Sequence, residues 1–187
     1  MASQVRRSRL LLIPAALALL SGCIFSPERK EPKPKPPIEY LAPISPQNVL
    51  QNLIKSYVES DSIQTKIVYD EFYEGTSVDP SAPIPLFNFT RANEVSHVKN
   101  LHDDPNIVSI FLDLGAPGAW ERLAGNSSDP LGWAIIPIPS QTIRIEDIAR
   151  FTTWESVNRV IEYTFKPTVS APGDTTWTVV RWTEIAN

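Results

Sequence analysis

Arg159-Val160-Ile161-Glu162-Tyr163-Thr164-Phe165-Lys166 and Thr175-Thr176-Trp177-Thr178-Val179-Val180-Arg181-Trp182-Thr183-Glu184-Ile185 decide the fold. In both stretches the side chains alternate with the period of two that a half-buried strand requires. The first sets Ile161, Tyr163 and Phe165 on one face and Val160, Glu162 and Thr164 on the other. The second sets Trp177, Val179 and Arg181 opposite Thr178, Val180 and Trp182. Pro172-Gly173-Asp174 lies between them, so the pair reads as an antiparallel hairpin. Trp177 and Trp182 differ in parity. Both face one side only if a bulge intervenes; otherwise one of them is partly exposed or covered by another element.

Working back from the hairpin, Ile107–Leu114 alternates, with Val108, Ile110, Leu112 and Leu114 on one face. A loop rich in Gly, Pro, Asn and Ser follows over 115–130. Trp133-Ala134-Ile135-Ile136 is interrupted by Pro137 and Pro139, which predicts an edge strand or a sharp bend, continued by 141–146. The earlier chain is helical in pattern. Ser45 and Pro46 supply an N-cap and a first helical residue, and Val49, Leu50, Leu53, Ile54, Tyr57 and Val58 form one apolar stripe. After a break at Ser60-Asp61, a shorter helix is predicted with Ile63, Ile67 and Val68 inward and Asp70-Glu71 near its end; Phe72-Tyr73 begins a strand or a loop wall. Residues 75–89, with three prolines, predict a long irregular connection. A third helix capped by Thr90 buries Val95, Val98 and Leu101 and stops at Asp103, Asp104 and Pro105.

Three helices followed by four or more antiparallel strands define an α+β domain over 45–187. The order of these elements, the terminal strand Thr176–Trp182, and Ser45–Leu50 with Tyr57 and Asp61 following resemble the NTF2-like superfamily, including its SnoaL-like and ketosteroid-isomerase-like members. The resemblance implies a cone: N-terminal helices packed on a strongly curved antiparallel sheet, around a pocket that relatives use for catalysis, use for ligands, or fill with side chains.

The first 44 residues are of another kind. Arg6, Arg7 and Arg9 precede the eleven-residue apolar run Leu10–Leu20, too short for a spanning helix, which needs about 20 residues. Leu20-Ser21-Gly22-Cys23 follows and resembles the lipobox of a bacterial lipoprotein signal peptide. That resemblance implies cleavage of residues 1–22, acylation of Cys23, and attachment of the protein to a membrane of the bacterial cell envelope through its acyl chains. Ile24, rather than Asp, follows the cysteine and implies the outer membrane where the cell has one. Two or three chains on one residue meet the requirement for stable anchoring, since each buried methylene contributes about 0.8 kcal/mol. Residues 24–44 hold Pro27, Pro32, Pro34, Pro36, Pro37 and Pro43 among mixed charges and read as an extended tether.

Composition narrows the function classes. The chain has 17 basic and 21 acidic residues; without residues 1–22 the balance is 14 to 21, a charge of −7. Nucleic acid is disfavoured as a partner, because its recognition rests on clustered Lys and Arg. Cys23 is the only cysteine, so no disulfide forms within the chain. His97 and His102 are five apart and share no helical face, which speaks against a metal site and for surface histidines. Asp103-Asp104 reads as a solvated helix end. Asp113, Glu162 and Tyr163 lie on predicted strands, but Glu162 alternates away from Tyr163, and none is singled out as catalytic. No cofactor is predicted. The tryptophans at 120, 133, 154, 177 and 182 read as core filling, with a pocket for an apolar or sugar-like ligand as the alternative.

Three functions remain open: a non-enzymatic module binding a small apolar ligand or an envelope protein, an isomerase or cyclase using the pocket, and a structural component with a filled cone. A buried carboxylate facing a phenol or acid donor in an open cavity marks the enzyme; an open cavity without titratable groups marks the binder. Cys23→Ser is expected to move the protein from the membrane to the soluble fraction, and unchanged fractionation would remove the anchoring claim.

Overall fold

The computed structural model describes residues 36–77, 87–150 and 152–185, with the side chains of 152–159 and 185 outside the description. Leu20, Ser21, Gly22, Cys23 and the tether as far as residue 35 also lie outside the described residues. The helices and the sheet belong to the compact unit Glu39–Asn187.

Helix α1 runs over Pro46–Val58. Ser45 is extended, and its hydroxyl accepts the Asn48 amide at 3.1 Å, so the cap read from sequence forms. Val49, Leu50, Leu53 and Tyr57 are buried, but Val58 is 45% exposed. One residue past Tyr57, it is turned by about 100° around the axis and leaves the stripe. Helix α2, Ser62–Val68, is capped by Asp61, whose carboxylate accepts the amides of Ile63 and Gln64. Its orientation corrects the expectation: Ile63 and Ile67 are 76% and 57% exposed, and Thr65 and Val68 face inward. The Thr65 hydroxyl lies within hydrogen-bond distance of both the Asp61 carbonyl and the Ser56 hydroxyl, sharing its one proton between them, which fixes the rotation of this short helix against α1. Asp70 and Glu71 belong not to the helix end but to strand β1, Tyr69–Ser77.

Part of the expected irregular connection is also strand. Strand β2, Phe87–Thr90, pairs antiparallel with β1 from Glu74–Thr90 to Ser77–Phe87; residues 78–86 lie outside the description. Thr90 then caps α3, Arg91–Asp103, in a reciprocal box with Asn93. Val98 is fully buried on α3, while Val95 and Leu101 are half-buried. Next come β3, Ile107–Asp113, the two-residue β4, Leu123–Ala124, then β5, Ala134–Asp147, β6, Thr152–Ala171, and β7, Asp174–Ile185. On β3, Leu112 is buried but Val108 is exposed, because the register shifts between Ile107 and Ser109 and Val108 is an extra residue that breaks the alternation. The seven described strands form one curved, unclosed sheet of order β2-β1-β7-β6-β5-β3, with β4 also on β5. All pairs are antiparallel except β1 with β7. Among the described residues no helix is long and apolar enough to cross a membrane.

The predicted hairpin is present and longer than its pattern. Strand β6 pairs with β7 from Val160–Ile185 to Ala171–Asp174, and Gly173 takes a φ of +87° in the turn. Strand β5 is not at the edge of the sheet. It pairs with β6 at 134–138, 141 and 143–147, and with β4 at 134–135 and β3 at 142–147 on its other side. Pro137 and Pro139 fall in the gap between β4 and β3, where one side of β5 has no neighbour and a missing amide on that side breaks no ladder. Register shifts around Gln141 supply the bend.

Strand β7 carries the decisive irregularity. Thr164 pairs with Arg181 but Phe165 pairs with Val179, so Val180 is an extra residue. That bulge reverses the parity of the strand. Trp177, Val179 and Trp182 consequently all face the core side, opposite Pro167, Phe165 and Tyr163. Arg181, expected on the Trp177 face, instead points to the other. Its guanidinium grips Asp129 with two bonds of 2.9 and 3.0 Å, tying the 115–130 loop to the sheet. On the same sheet Asp70 accepts from Lys166 at 3.0 Å and from Thr178 at 3.3 Å, linking β1 to β6 and β7.

Residues 39–44, read from composition as the end of the tether, lie along α1. The buried Asn52 amide both donates to the Leu41 carbonyl and accepts its N–H, each at 2.8 Å, and the Trp177 N–H reaches the Pro43 carbonyl. Tyr40 donates to Asp61 and Lys55 to the Glu39 carbonyl.

Hydrogen bonds from Arg181 hold the Asp129 carboxyl below the usual carboxylate range. Burial pushes Asp70 up, but the Phe72 amide and Lys166 outweigh it, and the net direction is also down. Carboxyls depressed on folding contribute stability above the unfolded value of about 4, and lose it as pH falls through the folded values. Urea midpoints are therefore expected to drop below about pH 4. Asp129→Ala is expected to cost about 1–3 kcal/mol at neutral pH, between an exposed and a fully buried pair, and to flatten the acid loss.

Candidate functional site

Between α1, α3 and the concave side of the sheet lies a cavity of about 430 Å³. Its floor is Leu53, Leu112 and Ile143; its walls are largely aromatic. Tyr57 comes from α1, Tyr69 and Tyr73 from β1, Phe89 from β2, Tyr163 from β6 and Trp182 from β7. The Tyr69 and Tyr73 rings lie 4.2 Å apart, and Phe89 meets Trp182 edge-on at 6.2 Å. Asn88, Asn93 and His97 are exposed and mark the mouth.

Glu94, in the first turn of α3, projects into this aromatic recess. The Tyr57 hydroxyl donates to its Oε2 at 2.5 Å and the Tyr73 hydroxyl to its Oε1 at 3.2 Å. A buried phenol needs an acceptor, and one carboxylate serves two of them. Tyr163 is satisfied separately, donating to Gln141 at 2.9 Å. Burial is the largest cause that pushes the phenols of Tyr57, Tyr69, Tyr73 and Tyr163 well above their usual range, and the Glu94 charge adds to it in each. These hydroxyls stay protonated and act as donors.

Gly75 makes the close packing feasible. A Cβ there would lie 2.7 Å from the Tyr73 hydroxyl and 3.2 Å from both Phe89 Cβ and Trp182 Cε3. Any side chain at 75 would push Tyr73 off Glu94.

The residues weighed from sequence distribute unevenly over this site. Tyr163 enters the cavity. Asp113 is exposed and accepts its own loop amide, Gly115, while Glu162 faces away from Tyr163 as its parity implied. His97 and His102 are both exposed, and His97 additionally meets the Tyr57 ring edge-on at 6.3 Å. Asp103 pairs with Lys99 on the solvated end of α3. Trp177 lies in the core beneath the Arg122 guanidinium, and Trp120 is buried with its indole N–H on the Leu114 carbonyl. Trp182 is a cavity wall rather than filling, Trp133 is half-buried, and the Trp154 side chain lies outside the description. Among the described residues no three His, Cys, Asp or Glu side chains are grouped to hold a metal ion. Glu94 was missed. In sequence it is an acid in a first helical turn, normally a partner of the helix dipole. The available signal was the set of tyrosines on apolar faces, whose hydroxyls require an inward-facing acceptor.

A sheet of this order, curved around three helices with its cavity on the concave side, defines an α+β cone. Solved structures identify it: the fold is NTF2-like. An NTF2-like superfamily protein from Salmonella enterica serovar Typhimurium LT2 matches with a TM-score of 0.51 at 8% identity, over 74% of this chain and 86% of that one. A conserved protein from Planctomyces limnophilus matches at 0.50 and 9% identity, over 74% and 94%. A hexachlorocyclohexane dehydrochlorinase, an enzyme, matches at 0.50 and 7% identity, over 75% and 82%. At such identities the likeness is one of fold alone. No protein-family model matches the chain, and no curated protein does.

The chain's five tyrosines include Tyr40, whose phenol is also raised, by burial and then by Asp61. Groups raised on folding contribute stability that is complete below the unfolded value of about 10 and is lost as pH rises through the folded values. In an alkaline titration, phenolate absorbance is expected to appear only together with loss of the near-ultraviolet circular dichroism. Phenolate forming in the folded protein near pH 10 would show that the tyrosine cluster is open to solvent.

Proposed function

We propose that this chain is a lipid-anchored protein of the bacterial cell envelope whose NTF2-like domain is a non-enzymatic module binding a small, largely apolar molecule in the cone cavity. The observation that carries the binding role is an open, aromatic-walled cavity of about 430 Å³, within the range usual for small-molecule sites. Support for the anchor comes from Leu20-Ser21-Gly22-Cys23 after its cationic and apolar run, with acyl chains on Cys23 as the membrane partner and the outer membrane as its place where one exists.

One observation favours the second reading, an enzyme of isomerase or cyclase type: a carboxylate does face phenol donors in an open cavity. Two features of the geometry favour binding over it. Both Glu94 oxygens already accept a hydrogen bond from a phenol, so the carboxylate is oriented toward its own tyrosines rather than toward a substrate. The same two hydroxyls are thereby committed to Glu94 and are not aimed at a substrate oxyanion. A structural role with a filled cone does not fit a cavity of this size.

Native mass spectrometry of the full-length protein purified from the envelope is expected to show a bound small molecule, lost when Trp182→Ala removes a wall. A ligand-free mass for the wild type, with no thermal shift across a small-molecule panel, would remove the binding role.

A further inference from the structure

Among the described residues the cavity holds a carboxylate with no Lys or Arg beside it. Glu94 is, among the described residues, the one acidic side chain of the lining, neither Lys nor Arg contributes to it, and His97 stands at the mouth. Arg91, nearest along the chain, is turned away: its guanidinium donates to the Tyr69 carbonyl, and it lines a separate surface recess with Asp70 and Glu71. The hydrogen bonds from Tyr57 and Tyr73 orient the carboxylate without neutralising it.

Around that charge the aromatic groups converge. The Tyr73 hydroxyl, Phe89 Cβ and Trp182 Cε3 lie within 3.2 Å of the point where a Gly75 Cβ would sit, the Phe89 and Trp182 rings meet edge-on at 6.2 Å, and Tyr69 packs on Tyr73. Aromatic faces attract cations through their quadrupole, and cages of such rings recognise quaternary ammonium groups. Both carboxylate oxygens already accept hydrogen bonds, so Glu94 has more to offer as a charge than as a directed acceptor. A cation without N–H donors matches that offer.

We infer that the cone cavity takes a quaternary ammonium ion carrying an aromatic or aliphatic group, with the cation over Phe89 and Trp182 beside Glu94. This rests on the binding reading above and adds the class of ligand.

Calorimetric titration of the full-length protein with three probes of one size tests it: benzyltrimethylammonium, its uncharged isostere neopentylbenzene, and phenylacetate. The cation is expected to bind at least about tenfold more tightly than the isostere, with phenylacetate weakest. Glu94→Gln, with its fold checked by circular dichroism, is expected to reduce that preference to about twofold or less. Equal affinity for cation and isostere, or preference for the anion, overturns the ligand class and leaves the binding role standing. Binding of none of the three overturns the ligand class, and the binding role then falls only with a ligand-free native mass of the wild type. The comparison on the wild type needs no variant, so a Glu94→Gln protein that fails to fold does not blunt it.

Discussion

The extra residue at Val180 changes the direction of everything after it in β7. Without it, Trp182 would lie on the convex side of the sheet with Thr178, and Arg181 would be driven toward Val179 and the core. With it, one strand delivers an indole to the cavity wall and a guanidinium to the opposite face, where Asp129 holds it. Val180 itself is buried outside the main core cluster. The same stretch pairs in parallel with β1, which sets Gly75 beside Trp182. A single irregularity thus fixes the cavity wall, the loop anchor and the neighbour that must lack a side chain.

The polar centre of the cavity follows from a different necessity. Tyrosines at 57, 69, 73 and 163 bring large apolar rings to the concave side, and each brings a hydroxyl that burial would penalise if left unpaired. Glu94 and Gln141 answer for three of them. The pairing is reciprocal: the carboxylate gives two phenols an acceptor, and they give it two donors. The acid also sits one turn inside α3, where the helix N-terminus favours negative charge.

Much of this architecture can be read from residues. Ser45-Pro46, Asp61 and Thr90 mark three helix starts, because each supplies an oxygen where an amide lacks a partner. The hairpin is legible because its alternation spans both strands, and the opposite parity of the two tryptophans already posed the choice between a bulge and an exposed indole. Other features depend on contacts distant in sequence. The Ile63–Ile67 face looks inward by hydrophobicity, but the Thr65–Ser56 hydrogen bond turns it out. Pro137 and Pro139 signal an edge, yet the edge is local to a gap between two short neighbours on an interior strand. Glu94 acquires its meaning only when α3 is laid across Tyr57 and Tyr73, 37 and 21 residues before it.

Residues 39–44, just ahead of the first helix, have a mechanical consequence. Leu41 and Asn52 exchange two hydrogen bonds, and Pro43 receives the Trp177 amide, so the chain is pinned to a helix and to a sheet within three residues. Tension drawn through the N-terminal side would reach these bonds before any core side chain. The Lys55 bond to Glu39 and the Tyr40 bond to Asp61 would take the first share of the load and the Asn52 amide the next, ahead of the cavity behind Tyr57.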